Sequence, residues 1–268
     1  MAVITISRGS YSYGKAIAER VASQLGYECI ARDVLLEASD EFNIDEVKLI
    51  RALHDAPSVL DRFARGRERY IAYIRATLLR HLRKDNVVYH GLAGHFFVDG
   101  VSHVLKVRII ADMDERISLE MKRNSVSWEE AGRVLRNDDE ERRKWSRQLY
   151  GIDTWDASLY DLVIHTRKIS IDDAAEIIRN TVDLEHFQTT PESQRAMDDL
   201  ALAAEVTSLL VESYPNAVVS SREGATTVRV PTSGMNEANV TDEITAIAGQ
   251  IAGVTEVIVD TVPSTAYS

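Results

Sequence analysis

A chain of 268 residues, 45% hydrophobic and 27% charged, has the composition of a folded globular protein; wholesale disorder is excluded and there is room for two domains of ordinary size. The net charge of −11 sits mainly at one end, since residues 190–268 carry eleven acidic side chains against Arg195, Arg222 and Arg229, a balance of −8 that leaves −3 for residues 1–189. A surface of that sign repels nucleic-acid backbones and anionic headgroups, so nucleic acid is not expected as a partner and the membrane is disfavoured as one.

Met1 and Ala2 lead into Val3–Ile6 with no basic flank and no apolar stretch long enough for a signal peptide or a membrane span, which predicts a cytoplasmic location. The single cysteine, Cys29, has no partner for an internal disulfide and reads as a packing residue. Val3–Ser7 is a short apolar run expected to be a buried strand. Ile17, Val21 and Leu25 then share one helical face that ends at Gly26, giving strand, loop, helix. Asp33–Leu53 is expected to be helical, with Pro57 as a break. Tyr70, Ile74, Leu78 and Leu82 recur every four residues beside Ile71 and Leu79, so Leu60–Arg83 should form one amphipathic helix with a basic outer face. Asn86–His90 and His103–Ala111 are expected strands, Asp114–Arg123 and Trp128–Leu149 helices, Leu162–His165 a strand and Ile171–Leu184 a closing helix. Such alternation implies right-handed crossovers and a parallel sheet with helices on both faces.

The stretch from Phe187 to Ser193 interrupts this periodicity and divides the chain into residues 1–186 and 193–268. Leu200, Val206, Leu209 and Leu210 then mark a helix, and Ala217–Ser220 and Thr226–Val230 a hairpin about Glu223-Gly224. Val240–Ile251 is a second helix and Val254–Val259 a last strand, so the second unit is a small α+β domain of order α-β-β-α-β.

Between the first strand and the first helix lies Gly9-Ser10-Tyr11-Ser12-Tyr13-Gly14-Lys15-Ala16, the strand–loop–helix context of a phosphate-binding loop. Such a loop turns backbone N–H groups inward beside the positive end of a helix, and Lys15 would add a full charge on the β- and γ-phosphates of ATP. The first unit is therefore expected to be an α/β P-loop kinase-like domain. Ala16 replaces the Ser or Thr that usually meets Mg²⁺, which leaves Ser12 as the candidate metal ligand. Tyr11 and Tyr13 are bulky for a loop that must approach phosphate closely. An ordinary strand-to-helix turn that happens to contain Gly and Lys is the alternative.

Several further motifs occur in a fixed order. Ile4-Thr5-Ile6-Ser7-Arg8, the loop, Ile17-Ala18, Leu25-Gly26 and Arg32-Asp33 are followed by Asp139 to Arg142, Tyr150-Gly151-Ile152-Asp153 and Tyr160-Asp161-Leu162-Val163-Ile164. Over residues 3 to 182 the chain resembles the cytidylate-kinase-like family. That resemblance implies ATP and Mg²⁺ as cofactors, a nucleoside monophosphate as the small-molecule acceptor, and a lid carrying Arg133, Arg136, Arg142, Arg143 and Arg147. Arg142 and Arg136, with Lys15, are its candidate catalytic residues. The family's Gly-Arg-Gly type segment is His90-Gly91-Leu92-Ala93 here, with Leu92 in place of the arginine. Beyond residue 190, the element order with Gly224 in the hairpin and Gly253-Val254-Thr255-Glu256-Val257 resembles the BON domain, a module linked to lipid or ligand binding.

Asp138, Asp139, Glu140 and Glu141 could equally pair with the lid arginines on a solvated face. Asp33 stands where the family has an acidic residue near the acceptor, and is also suited to cap a helix. Arg62, Arg65 and Arg69 could grip the acceptor's phosphate or form a solvated face. His90 and His95, five apart, lie where strand ends face a ligand crevice but lack a third ligand at metal-site spacing. Trp145, Trp155 and Tyr160 read as packing residues and lid anchors. Two functions remain open: phosphoryl transfer from ATP to a nucleoside monophosphate, CMP or dCMP favoured, or a weakly active nucleotide-binding regulator that signals through the C-terminal domain to a protein partner or a second copy. Ala16, Tyr11, Tyr13 and Leu92 favour the second. In either case Lys15→Ala is expected to weaken ATP binding about 10-fold or more, the worth of one charge-assisted contact. Isothermal titration showing unchanged affinity would remove the loop from the account.

Overall fold

A computed structural model of the chain describes residues 1–9, 12–31, 33–44, 64–91, 94–232 and 237–263. Ser10, Tyr11, Arg62, Leu92, the expected helix beyond Ile44 and the segment Leu60–Phe63 lie outside them, as do the side chains of Arg65, Trp145 and Tyr150.

Strand β1 (Val3–Arg8) leads through the loop to helix α1 (Gly14–Leu25), which stops at Gly26 in the left-handed region. A three-residue strand, β2 (Glu28–Ile30), follows; it is too short to leave a periodic signal and was not foreseen in the sequence pattern. Helices α2 (Asp33–Glu41) and α3 (Ala64–Leu82) precede β3 (Val87–His90). A single turn, α4 (Gly94–Phe97), links it to β4 (Val104–Ile110). Next come α5 (Met113–Asn124), the 23-residue α6 (Trp128–Tyr150), β5 (Leu162–His165) and α7 (Ile171–Val182). The helix starts are chemically marked: Ser127 caps α6, and Ser170 with Asp173 forms a reciprocal capping box on α7.

These strands form one sheet of order β2-β3-β1-β4-β5, parallel throughout. β1 is the middle strand, with Val3 opposite both Val87 and Val104. A strand buried on both faces must be apolar on both, and Val3, Ile4, Thr5 and Ile6 are all buried. On one face Ile4, Ile6, Leu105, Val107 and Ile109 pack with Ile17 and Val21 of α1 and Ile178 of α7. On the other Val3, Val87, Tyr89 and Val104 pack with Ile74, Leu78 and Leu82 of α3. Each such fully buried aliphatic side chain contributes roughly 1.5–3 kcal/mol of transfer free energy.

The C-terminal unit consists of α8 (Pro191–Leu210), β6 (Val218–Arg222), β7 (Ala225–Thr232), α9 (Glu237–Ala248) and β8 (Glu256–Pro263). The element order is the expected one. β6 and β7 are antiparallel about Glu223 and Gly224, both at positive φ, and β7 pairs with β8 in parallel. Leu202, Val206 and Leu210 of α8 join Val228, Val230 and Ile244 in the small unit's own core. The opposite side of the same helix puts Met197, Ala201 and Ala204 into the core of the larger unit. The two units therefore share α8. Just past its end, Glu212 accepts hydrogen bonds from Arg69 Nη1 at 2.9 Å and the Tyr73 hydroxyl at 2.8 Å, both on α3. Arg83 Nε donates to Asp198 at 2.7 Å. Met197 is fully buried in the larger unit's core, so Met197→Ala should cost about 3 kcal/mol. Urea unfolding of the full chain measures it, and a loss below about 1 kcal/mol would mean that α8 is not part of that core.

Candidate active site

Because β1, β3 and β4 are parallel neighbours, their carboxyl ends, at Arg8, His90 and Ile110, reach one edge of the sheet, where α1 begins. Ser12 is buried there, and its hydroxyl donates to the Gly9 carbonyl at 2.9 Å, which holds the loop closed. Tyr13 takes the left-handed conformation (φ 62°) at the start of α1, a position that costs a non-glycine residue about 1–2 kcal/mol. Its phenol donates to Glu115 of α5 at 3.0 Å. The bulky ring thus runs away from the loop toward α5. Partial burial, with Glu115 adding to it, raises the phenol's pKa. Gly14 has to be glycine: a Cβ there would lie 2.5 Å from Arg8 Cδ, so the Arg8 side chain crosses the start of the helix only because this residue has none. Lys15 is exposed and sits 3.6 Å from Glu19, one turn on. An exposed pair of that kind is weak and leaves the ammonium able to swing over the loop.

The five arginines expected on a lid diverge along α6, because successive residues of a helix point about 100° apart. Arg142 reaches the loop, its Nη1 donating to the Arg8 carbonyl at 3.4 Å. Burial pushes the Arg142 pKa down, while Asp138 and Asp139 oppose that shift. Arg143 and Arg147 both bind Asp153 at 2.6 Å, holding its carboxyl well below the usual range, and Arg143 lies over the exposed Trp155 ring. Arg133 meets Glu130 at 3.8 Å. Arg136 is exposed beside Gly132 and lines neither of the cavities next to the loop. Asp139 is held by a different residue, Arg116 of α5, in a buried two-bond pair at 2.7 and 2.9 Å.

Two cavities adjoin the loop. The smaller, about 40 Å³, is lined by Arg8, Gly9, Arg108, Asp139 and Arg142 among others. The larger, about 350 Å³, is lined by Gly9, Ser12, Arg108, Met113, Arg116 and Trp155 among others. Arg8, Arg108 and Arg116 escaped the sequence reading as site residues. A usable signal existed for Arg108: interior parallel strands read as continuous apolar runs, and Lys106 and Arg108 break that rule on one face of β4. Arg108 Nη1 donates to the Thr154 carbonyl and lies 3.2 Å from the Tyr160 hydroxyl. That hydroxyl is 3.3 Å from His95 Nε2 and 3.4 Å from Ser7 Oγ.

Of the expected acceptor residues, His90 is buried at the end of β3, where Arg8, Lys15, Glu19 and Asp33 all act on its charge. Asp33 is exposed in the first turn of α2, on an open depression it shares with Glu37 and Arg80. The Arg65 side chain lies outside the described residues. Arg69 is tied to Glu212 rather than turned to the loop. Among the described residues no cluster of three or more His, Cys, Asp or Glu could hold a metal ion. Magnesium beside a nucleotide keeps mostly water and phosphate ligands, so the buried Ser12 hydroxyl fits the single protein ligand it would need here.

The family model described as the cytidylate kinase-like family matches residues 3–168. The chain belongs to that family. The cytidylate kinase of Methanopyrus kandleri is 27% identical over 193 residues, which cover 68% of this chain and 93% of that protein. The cytidylate kinase of Ignicoccus hospitalis is 25% identical over 180 residues, covering 67% and 98%. An uncharacterized protein from Eubacterium ventriosum shares the fold, with a TM-score of 0.51 at 18% identity over 68% of this chain and 99% of that one. Membership implies a P-loop nucleotide-kinase fold and the ATP and Mg²⁺ use typical of such kinases. The family match ends before α8. No described helix is long and apolar enough to cross a membrane.

Burial, reinforced by Arg8, pushes the His90 pKa down to about 4; burial, reinforced by Lys106 and Arg108, pushes that of His95 down to about 3. The unfolded chain takes up these protons near pH 6.5, whereas the folded chain holds both rings neutral. Acid therefore favours the unfolded state, and these two residues should make stability fall as pH drops from about 6.5 toward 4. Replacing both with Gln should flatten the slope of unfolding free energy between pH 7 and 5, measured with urea. An unchanged slope would show that neither ring is kept neutral by the fold.

Proposed function

We propose that the chain transfers the γ-phosphoryl group of ATP to a nucleoside monophosphate, with CMP or dCMP as the favoured acceptor, in the cytoplasm. The observation that carries this reading is the meeting of Arg142 from the long lid helix with the Arg8 carbonyl at the entrance to the phosphate loop. On this reading that contact would keep a cation beside the site where charge develops on the transferred group. Phosphoryl transfer asks little covalent chemistry of a protein; donor and acceptor must be held in line and the equatorial oxygens neutralised. Gly9, Ser12, Tyr13, Gly14 and Lys15 would hold the donor phosphates, and Arg142 would neutralise the moving charge. His90 and Asp33 would face the acceptor from the β3 side. Mg²⁺ would screen the β- and γ-phosphates beside Ser12.

The divisions 1–186 and 193–268 are proposed as the two functional units, the second of them BON-like in its element order. A second reading, nucleotide binding without turnover, is favoured by Ala16, which has no side-chain oxygen to offer a metal. The two are separated by assaying ADP formation with ATP, Mg²⁺ and a panel of CMP, dCMP, UMP, AMP and GMP. We expect turnover with the cytidine nucleotides, and a fall of about 100-fold in kcat/KM for Arg142→Ala, the size seen when one transition-state charge contact is lost. ATP binding that is tight and indifferent to Mg²⁺, with no ADP from any acceptor, would select the second reading and overturn the first.

A further inference from the structure

The residues that match the family end at 168, yet the core of the larger unit is completed from beyond them, by α8. This helix runs antiparallel to α3 and is fastened to it at both ends. At one end Arg83 Nε donates to Asp198 at 2.7 Å, and Gln194 Nε2 to the Arg83 carbonyl at 3.1 Å. At the other, just past α8, the two oxygens of Glu212 accept from Arg69 Nη1 at 2.9 and 3.1 Å, and one of them from the Tyr73 hydroxyl at 2.8 Å. Burial, then Glu212, raises the Tyr73 pKa, so the phenol stays protonated and donates. Val211 is buried beside them against Ala72 and Tyr73. An exposed ion pair holds little by itself; a carboxylate that takes two donors over a buried aromatic contact holds more.

From Tyr73 the contact passes to α2. The Tyr73 and Phe42 rings stack with centroids 4.0 Å apart and planes 11° from parallel, and Phe42 directly follows α2. Ser39 Oγ donates to the Ile44 carbonyl at 2.6 Å, which ties the chain back onto the end of that helix. Farther along α3, Arg80 holds both oxygens of Glu41 at 2.9 and 2.8 Å, and His81 Nε2 lies 2.5 Å from Glu37. The two helices are clamped together, and α8 holds the clamp. The opposite end of α2 begins at Asp33, shortly past Ile30, whose partner on β3 is Tyr89, the neighbour of His90. A rigid helix carries a shift at one end to the other. We propose that Glu212, with Val211, is a positioning residue for the acceptor: the C-terminal unit braces α3, and through it α2, so that Asp33 keeps its place beside His90. This rests on the phosphoryl-transfer reading and gives the C-terminal unit a part in it.

Two measurements on the full chain and its Glu212→Ala variant test this. In steady-state kinetics with saturating ATP and Mg²⁺, the variant should raise KM for CMP about 10-fold and keep kcat within about 2-fold, as when a positioning element far from the chemistry is displaced. Its affinity for ATP, measured by calorimetry, should be unchanged. In amide hydrogen exchange without nucleotide, α2 should exchange about 5-fold faster or more while β1 keeps its rate. An unchanged KM for CMP, or a loss of ATP affinity equal to the rise in KM, overturns the positioning role. Unchanged exchange in α2 overturns the brace itself. Should the wild-type chain turn over none of the nucleoside monophosphates, the kinase reading falls, and exchange in α2 alone decides whether the C-terminal unit holds that helix. If Glu212→Ala does not fold, Glu212→Gln takes its place, since its amide oxygen still accepts from Tyr73. A rise of about 3-fold in KM is then expected, and no change overturns the proposal.

Discussion

Parallel pairing of β1 with strands on both sides is the constraint from which the rest follows. It requires an apolar middle strand, fills two helix-covered cores, and sends the carboxyl ends of β1, β3 and β4 to a single edge. Polar side chains placed just past those ends then share one crevice with the start of α1, whose unpaired N–H groups favour an anion. Tyr13 bears the left-handed conformation, and Gly14 makes way for Arg8.

Charge at that edge is arranged in pairs on the outer side and in a crowded group of guanidinium groups next to the loop. Arg116 is matched by Asp139, and Arg143 and Arg147 are matched by Asp153 on the outer side of the lid helix. These pairs fix the lid helix and the turn that follows it. Burial and then the neighbouring Arg142 lower the Arg8 pKa, and burial lowers that of Arg142 against the opposing pull of Asp138 and Asp139.

The acidic C-terminal unit is not suspended on a free linker. One face of α8 completes the core of the kinase-like unit and another closes its own three-stranded sheet, while Glu212 holds Arg69 and Tyr73 of α3. α3 carries the basic face that the sequence offered to an acceptor. Its arginine nearest the small unit is spent on Glu212, so an exposed basic stripe in a sequence does not by itself reveal what the stripe will meet.

Periodicity and turn chemistry alone placed most of the helices and the longer strands, the parallel sheet, the step from β1 to α1 and the α-β-β-α-β order of the second unit. These are local properties: apolar spacing, caps, and a loop between strand and helix that holds Gly9 and Gly14. What stayed hidden was the short strand β2, the double use of α8, and the company each charged side chain keeps. Arg136 and Arg142 look equivalent in sequence, yet the helix sends one to solvent and the other to the loop. Arg116 and Arg108 become site residues only because α5 and β4 fold against β1 and the lid. Sequence thus determined which elements form; the tertiary structure decided which cations face the crevice past the end of β1, because that choice depends on contacts between residues tens to more than a hundred positions apart.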